Sequence, residues 1–238
     1  MSEVKLSVAV MAHRKRAELV PKLCKRLGVG LDRVVYDQLN DRWDTGRRSL
    51  LAYQDVPGAT HHLVVQDDAV PARDLIQSIE SWIPKLPHGV LCLYAGRVKE
   101  FRLVLQKQRP PQPSWLQMRK INWGVALVFP VEHIRPAVAY GDRRVEMENY
   151  DMRLSEYCVL NNVPVLYPYP SWVNHETTPS LVPGRGAHRK AHLALNQSQS
   201  VRQWDRGRRA NVVPIPDFVR QSELAYPLLS TTIVRPAS

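Results

Sequence analysis

The chain has 238 residues, 44% of them hydrophobic and 23% charged. That length suits one large domain or a core with an appendage, and those proportions exclude wholesale disorder. Lysine and arginine outnumber aspartate and glutamate 33 to 22, a formal net charge of +11; such an excess favours a phosphate-rich partner (nucleic acid, an anionic surface or a nucleotide) without dictating a fold.

In chain order, Leu6 to Met11 predicts a first strand. The apolar run there is far shorter than the roughly 18 residues that cross a bilayer, and no long apolar leader precedes it. The expectation is a cytoplasmic protein with no membrane span. Arg16 to Leu27 follows as a helix, with Leu19, Val20, Leu23 and Leu27 spaced for one face. A short strand over Arg33–Tyr36, a helix over Thr45–Tyr53 and a strand over His62–Gln66 come next, the last running straight into Asp67 and Asp68. Asp74 to Ile83 reads as a helix ended by Pro84, and Val90–Tyr94 as a fourth strand. Alternation of this kind predicts βαβ units around a mixed, mainly parallel α/β sheet flanked by helices.

The rhythm breaks after Gly96. Residues 97–120 carry seven lysines or arginines against Glu100 alone, a net +6, and Pro110, Pro111 and Pro113 force part of the stretch into an extended loop. Within it, Trp115 is a candidate to stack on an acceptor, or else part of a soluble loop. Val125–Phe129 resumes as a strand, Glu132–Tyr140 and Tyr150–Asn161 as helices, and Val163–Tyr167 as a last strand. Residues 176–238 are again basic, at net +5. They predict a helix around Ala187–Leu195 and then a proline-containing tail, so the expected division is a catalytic domain over 1–195 and a basic C-terminal extension over 196–238. Cys24, Cys92 and Cys158 lie far apart with no CxxC pair, which fits buried thiols in a reducing compartment.

Four segments carry candidate chemistry. Asp67 and Asp68 close a buried strand, where paired carboxylates need a cation, a metal or solvent; ligands of open α/β sheets bind just outside such strand ends. The alternative is a solvated turn, with Asp74 capping the next helix. Trp123-Gly124 opens a strand with a glycine that lets a ligand approach the backbone. Glu148 and Asp151 stand three apart at a helix start and can share a face, or simply complement the helix dipole. His175 follows the aromatic, proline-rich turn Tyr167-Pro168-Tyr169-Pro170-Ser171-Trp172. His188 and His192 have i,i+4 spacing but lack the glutamate of a zinc protease, so a solvated basic face is the better reading.

The order of these segments resembles the GT-A fold glycosyltransferases, most closely small bacterial and bacteriophage members whose metal motif reads Glu-Asp-Asp; the likeness runs over roughly residues 5–195. It implies a Rossmann-like catalytic domain using Mn²⁺ or Mg²⁺ and a UDP- or GDP-sugar. Asp68 matches the metal-ligating acid of that motif and His175 the histidine that completes the metal shell. Asp67 matches the position contacting the donor's ribose or sugar, while Gln66 replaces a common acid. Ala12, His13 and Arg14 stand where the family binds the nucleotide base, and Trp123 and Gly124 on the acceptor side. Glu148 and Asp151 fall in the region supplying the catalytic base, where Asn149 replaces a common acid; Asp151 is slightly ahead because its family-equivalent acid survives here. Arg185, Arg189 or Lys190 are candidates to steady the diphosphate.

The leading expectation is therefore a metal-dependent glycosyltransferase that moves a sugar to a hydroxyl acceptor. The basic segments make DNA bearing a hydroxylated base the foremost acceptor. A protein or glycan acceptor is the alternative, and a non-enzymatic basic nucleic-acid-binding protein is the competing class.

Overall fold

The computed structural model describes residues 3–96, 101, 114–176, 181, 191, 193–204 and 210–215. Its strands are β1 (Leu6–Ala12), β2 (Val34–Tyr36), β3 (His61–Gln66), β4 (Ala69–Pro71), β5 (Val90–Cys92), β6 (Trp115–Met118), β7 (Ala126–Pro130), β8 (Val165–Pro168), β9 (Val173–His175) and β10 (Val212–Pro214). The helices are α1 (Val20–Leu27), α2 (Arg42–Leu51), α3 (Leu75–Trp82), α4 (Val131–Asp142), α5 (Tyr150–Leu160) and α6 (Val201–Trp204). Eight strands form one sheet in the order β10-β6-β8-β5-β7-β3-β1-β2, and β4 pairs with β9 in a separate ribbon. Four of the seven pairings in the large sheet are parallel; β7 runs antiparallel to both β3 and β5, and β6 antiparallel to β8. The expected mixed, mainly parallel α/β class is what the chain adopts.

Period-2 alternation explains why both faces of this sheet are covered. Leu63 and Val65 of β3, and Ala126 and Val128 of β7, join one core with residues of α1 and α3. Val64, Leu127 and Phe129 turn to the other, against Trp43, Leu50, Ile134 and Leu154 from α2, α4 and α5. The first helix is shorter than expected. It starts at Val20 with Pro21 in its first turn, because His13 to Arg16 instead form a separate 3-10 turn capped by the His13 ring, whose Nδ1 accepts the Lys15 N–H at 3.0 Å. Gly28, at φ +70°, closes α1 in the left-handed conformation that a side chain disfavours. Asp41 rather than Thr45 starts α2, its carboxylate accepting the Trp43 and Asp44 N–H groups. Asp74 caps nothing: it stands at φ +61° and accepts a hydrogen bond from Ser200.

Two readings of the basic regions change. Trp115 is fully buried, not an exposed stacking platform. It meets Trp82 and Trp172 at ring-centroid distances of 5.6 and 5.0 Å, and Trp204 joins the same knot 6.2 Å from Trp172. The described part of the C-terminal extension lies on the domain. Val201 is buried in the first core, β10 forms an edge of the large sheet alongside β6, and Ala194 bridges Ser171 where a helix was expected. Arg185, His188, Arg189, Lys190 and His192 lie outside the described residues. The three cysteines are free and buried. Among the described residues, no helix is long and apolar enough to cross a membrane.

His62, fully buried near the start of β3, ties the end of the sheet away from the cleft to its neighbours. Its Nε2–H donates to the Ser49 carbonyl of α2 at 2.8 Å, and its Nδ1 accepts from the Ser7 hydroxyl of β1 at 2.6 Å. Burial pushes the imidazole down to about 4, against a smaller opposing pull from its bond to Ser49. The unfolded chain therefore takes up a proton near pH 6.5 that the folded chain refuses until near pH 4, so stability falls as pH drops through that window. At about 1.4 kcal/mol per unit the loss is about 3 kcal/mol between pH 7 and pH 4. Urea unfolding across this range is expected to show it in the wild type and to show a correspondingly flatter profile in His62→Gln.

Candidate active site

Chain direction decides which residues meet. The carboxyl ends of β1 and β3 lie side by side in parallel, and β7, running the other way, brings its entry residues to the same edge: the Gln66 N–H donates to the Val125 carbonyl at 2.9 Å. A cleft of about 750 Å³ opens there. Ala12, His13, Asp67, Asp68, Trp123, Gly124, Glu148, Asp151 and His175 all line it. Arg14 does not: it is exposed, with its guanidinium 6.0 Å above the Tyr36 ring.

Asp67 and Asp68 are 5% and 3% exposed. Asp67 anchors the loop after β1, its Oδ2 accepting the His13 backbone N–H at 2.7 Å and its Oδ1 the Arg16 Nη1–H at 3.2 Å. The same Arg16 nitrogen also donates to Asp68 Oδ2. Burial raises Asp67 above the ordinary carboxylate range despite the His13 N–H and Arg16. Burial also pushes Asp68 up, but the hydrogen bond and charge of His175, with Arg16, outweigh it and hold Asp68 below that range.

The β4–β9 ribbon delivers His175. Ala69 pairs with His175 in register, and the Glu176 N–H donates to the Asp68 carbonyl at 2.8 Å, so the histidine is carried to the end of β3 by backbone bonds. Its Nδ1–H donates to the Glu176 carbonyl at 2.7 Å, leaving Nε2 facing Asp68 Oδ2 at 3.2 Å. In the neutral ring, Nε2 and Oδ2 are both lone-pair atoms, and they sit together comfortably only with a proton or a cation. Asp68 Oδ1 is buried and has no hydrogen-bond partner among the described residues. An orphaned carboxylate oxygen beside an imidazole nitrogen whose tautomer is fixed by its far side is a donor set that fits Mn²⁺ or Mg²⁺. Among the described residues no three His, Cys, Asp or Glu side chains gather for a metal. An ion held by Asp68 and His175 would therefore draw its other ligands from substrate oxygens and water.

The opposite wall separates the two candidate bases. Glu148 precedes the helix rather than sharing a face of it with Asp151; its side chain is 84% exposed and pairs with Arg42 Nη1 at 3.3 Å. Asp151, in the first turn of α5, is fixed beside Trp123 by the Gly124 N–H, which donates to its Oδ2 at 3.2 Å. Gly124 is a glycine because of a neighbour rather than a ligand: a Cβ there would run into the ring and hydroxyl of Tyr150, whose O–H donates to the Gly124 carbonyl. Trp123 lines the cleft edge-on to Tyr94, at 5.7 Å and 89°.

Sequence reasoning missed Arg16, Asp37, Tyr150 and Arg153, all of which line the cleft. The run His13-Arg14-Lys15-Arg16 was the available signal for Arg16, but helical periodicity assigned it to α1. Nothing in the local sequence marks Tyr150.

Gly124→Ala is expected to destabilise the protein by about 1–3 kcal/mol in urea unfolding, the usual range for overpacking a tight site. Tyr150→Ala in the same background should recover part of the loss by removing the ring the methyl group strikes.

No family model and no curated protein matches the chain. Among solved structures it is similar to A197 from STIV, at 12% identity and a TM-score of 0.45 over 82% of this chain and 97% of that one. It is also similar to a glycosyltransferase involved in the glycosylation of the major capsid of PBCV-1, at 12% identity and a TM-score of 0.38 over 73% of this chain and 94% of that one.

Proposed function

We propose that the chain is a metal-dependent glycosyltransferase that moves a sugar from a nucleotide-sugar to a hydroxyl acceptor. The observation that carries this reading is the meeting, 3.2 Å apart in a strand-end cleft, of Asp68 and His175, with the second Asp68 oxygen buried and without a hydrogen-bond partner among the described residues. A nucleotide-sugar departs as a diphosphate, so bond cleavage builds negative charge on the leaving group. A divalent ion held by Asp68 and His175 supplies the Lewis-acid neutralisation that this departure needs. Ala12 and His13, with Asp67 bracing their loop, form the wall suited to the nucleotide. Trp123 and Gly124 border the acceptor side.

Asp151 is the base in this scheme. A carboxylate ionised at neutral pH and oriented by a backbone N–H can take the proton of an attacking hydroxyl; Glu148 is engaged by Arg42 at the exposed rim. The acceptor proposed is DNA carrying a hydroxylated base, on the strength of the +11 net charge. Duplex DNA binding is expected to weaken steeply with salt, and a flat response would remove DNA as the acceptor.

Isothermal titration with UDP and GDP, with and without Mn²⁺, tests the central reading. One nucleotide should bind the wild type only with the ion, and Asp68→Asn should lose that binding while unfolding near the wild-type temperature. Asp151→Asn should keep nucleotide binding and lose transfer by about 10²-fold or more. Absence of nucleotide binding under every metal condition would overturn the proposal.

A further inference from the structure

Arg16 is an arginine in the wrong place for a surface charge. It is 8% exposed, lies on the three-residue turn Arg14–Arg16 rather than on a regular helix, and lines the cleft. One of its terminal nitrogens reaches both Asp67 Oδ1 and Asp68 Oδ2, and that Asp68 oxygen is also the one facing His175 Nε2. A buried guanidinium is tolerated only when its charge is met, and here the two aspartates meet it. A divalent ion taken up by Asp68 would bring a second positive centre onto a carboxylate that already holds one. Like charges at that separation repel strongly in a site sheltered from water.

We propose that Arg16 is a movable counter-ion. It neutralises the Asp67–Asp68 pair when no ion is bound, gives way on Asp68 as the ion arrives, and then clamps the diphosphate of the donor. The inference rests on the metal-dependent reading above. Two features make the movement feasible without any shift of the hydrogen-bonded turn that carries Arg16: a long unbranched side chain, and a cleft beside it able to receive the displaced group. The planar fork of guanidinium suits phosphate oxygens as well as it suits carboxylates. Arg16 thus sets ion and donor affinity in opposite senses: it opposes the ion alone and favours the nucleotide once the ion is present.

The test is Mn²⁺ binding without nucleotide, followed by UDP and GDP binding at saturating Mn²⁺, in the wild type, Arg16→Met and Arg16→Lys. Arg16→Met should bind Mn²⁺ alone about tenfold or more tightly than the wild type, and bind the nucleotide about tenfold or more weakly. Arg16→Lys, which keeps the charge but loses the fork, should fall between them. Unchanged Mn²⁺ affinity in Arg16→Met, or weaker Mn²⁺ binding, would overturn the inference even where the wild type binds nucleotide as proposed. If no nucleotide binds the wild type, the metal-dependent reading fails, while the Mn²⁺-alone comparison still decides whether Arg16 competes for the carboxylates. Should Arg16→Met fail to fold, Mg²⁺ titration of the wild type followed through the Arg16 side-chain Nε–H resonance replaces it. That resonance should shift with the ion; a resonance that stays fixed as the ion saturates would overturn the inference.

Discussion

The neighbouring carboxylates of Asp67 and Asp68 have lost almost all contact with water, and the surroundings of the cleft follow from how their charge is met. An ionised side chain left unpaired in such a place costs several kcal/mol. Three groups answer it: the His13 backbone N–H on Asp67, Arg16 on both, and His175 on Asp68, with the Glu176 N–H fixing the Asp68 backbone. These come from the loop after β1 and from the β4–β9 ribbon, segments far apart in sequence. The electrostatic demand of two residues thereby holds together the walls of the site. Among the described residues one Asp68 oxygen has no hydrogen-bond partner, and that remainder is what the proposed ion would answer.

Sheet direction supplies the rest. Parallel β1 and β3 end at one edge, as βαβ units require, and an antiparallel β7 starts at that edge. The residues at the ends of β1 and β3 and those at the entry of β7 therefore border one cleft instead of lying in a single row. Tyr150 and Asp151, at the beginning of α5, both grip Gly124, one at its carbonyl and one at its N–H. A rigid strand entry thus positions the carboxylate proposed as the base. Rigidity here and the long side chain of Arg16 are complementary in the proposed scheme: the first would keep a reacting group in line, and the second would allow a charge to change partners.

Much of this was legible in the sequence, for identifiable reasons. The strand His62–Gln66 and its terminal aspartates stood out because an apolar run ending in two acids is hard to reconcile with burial unless something binds there. The helices emerged from 3.6-residue spacing, with ends shifted where Asp41 and Pro21 control the first turn. The sense of β7, the β4–β9 ribbon, β6 and the edge strand β10 were not legible. Strands of three to five residues carry little periodicity, and pairing partners are set by tertiary packing. Trp115 was misread because its neighbours are basic, whereas its ring belongs to a tryptophan knot assembled from four distant segments. Arg16 was hidden by its position beside a helix. Charge in a helical pattern reads as surface, and only coordinates reveal that it turns inward toward buried acids.

The claim on which the chemistry turns is that Asp68 and His175 grip one ion together with the donor's diphosphate. Pulsed electron paramagnetic resonance of Mn²⁺ in the presence of UDP or GDP reads this directly, because a bound imidazole nitrogen modulates the signal of the metal. The wild type should show coupling to a single histidine nitrogen and to phosphorus, and His175→Gln should lose the nitrogen coupling. A spectrum with no nitrogen coupling, or one that the substitution leaves unchanged, would put the ion elsewhere and contradict the site described.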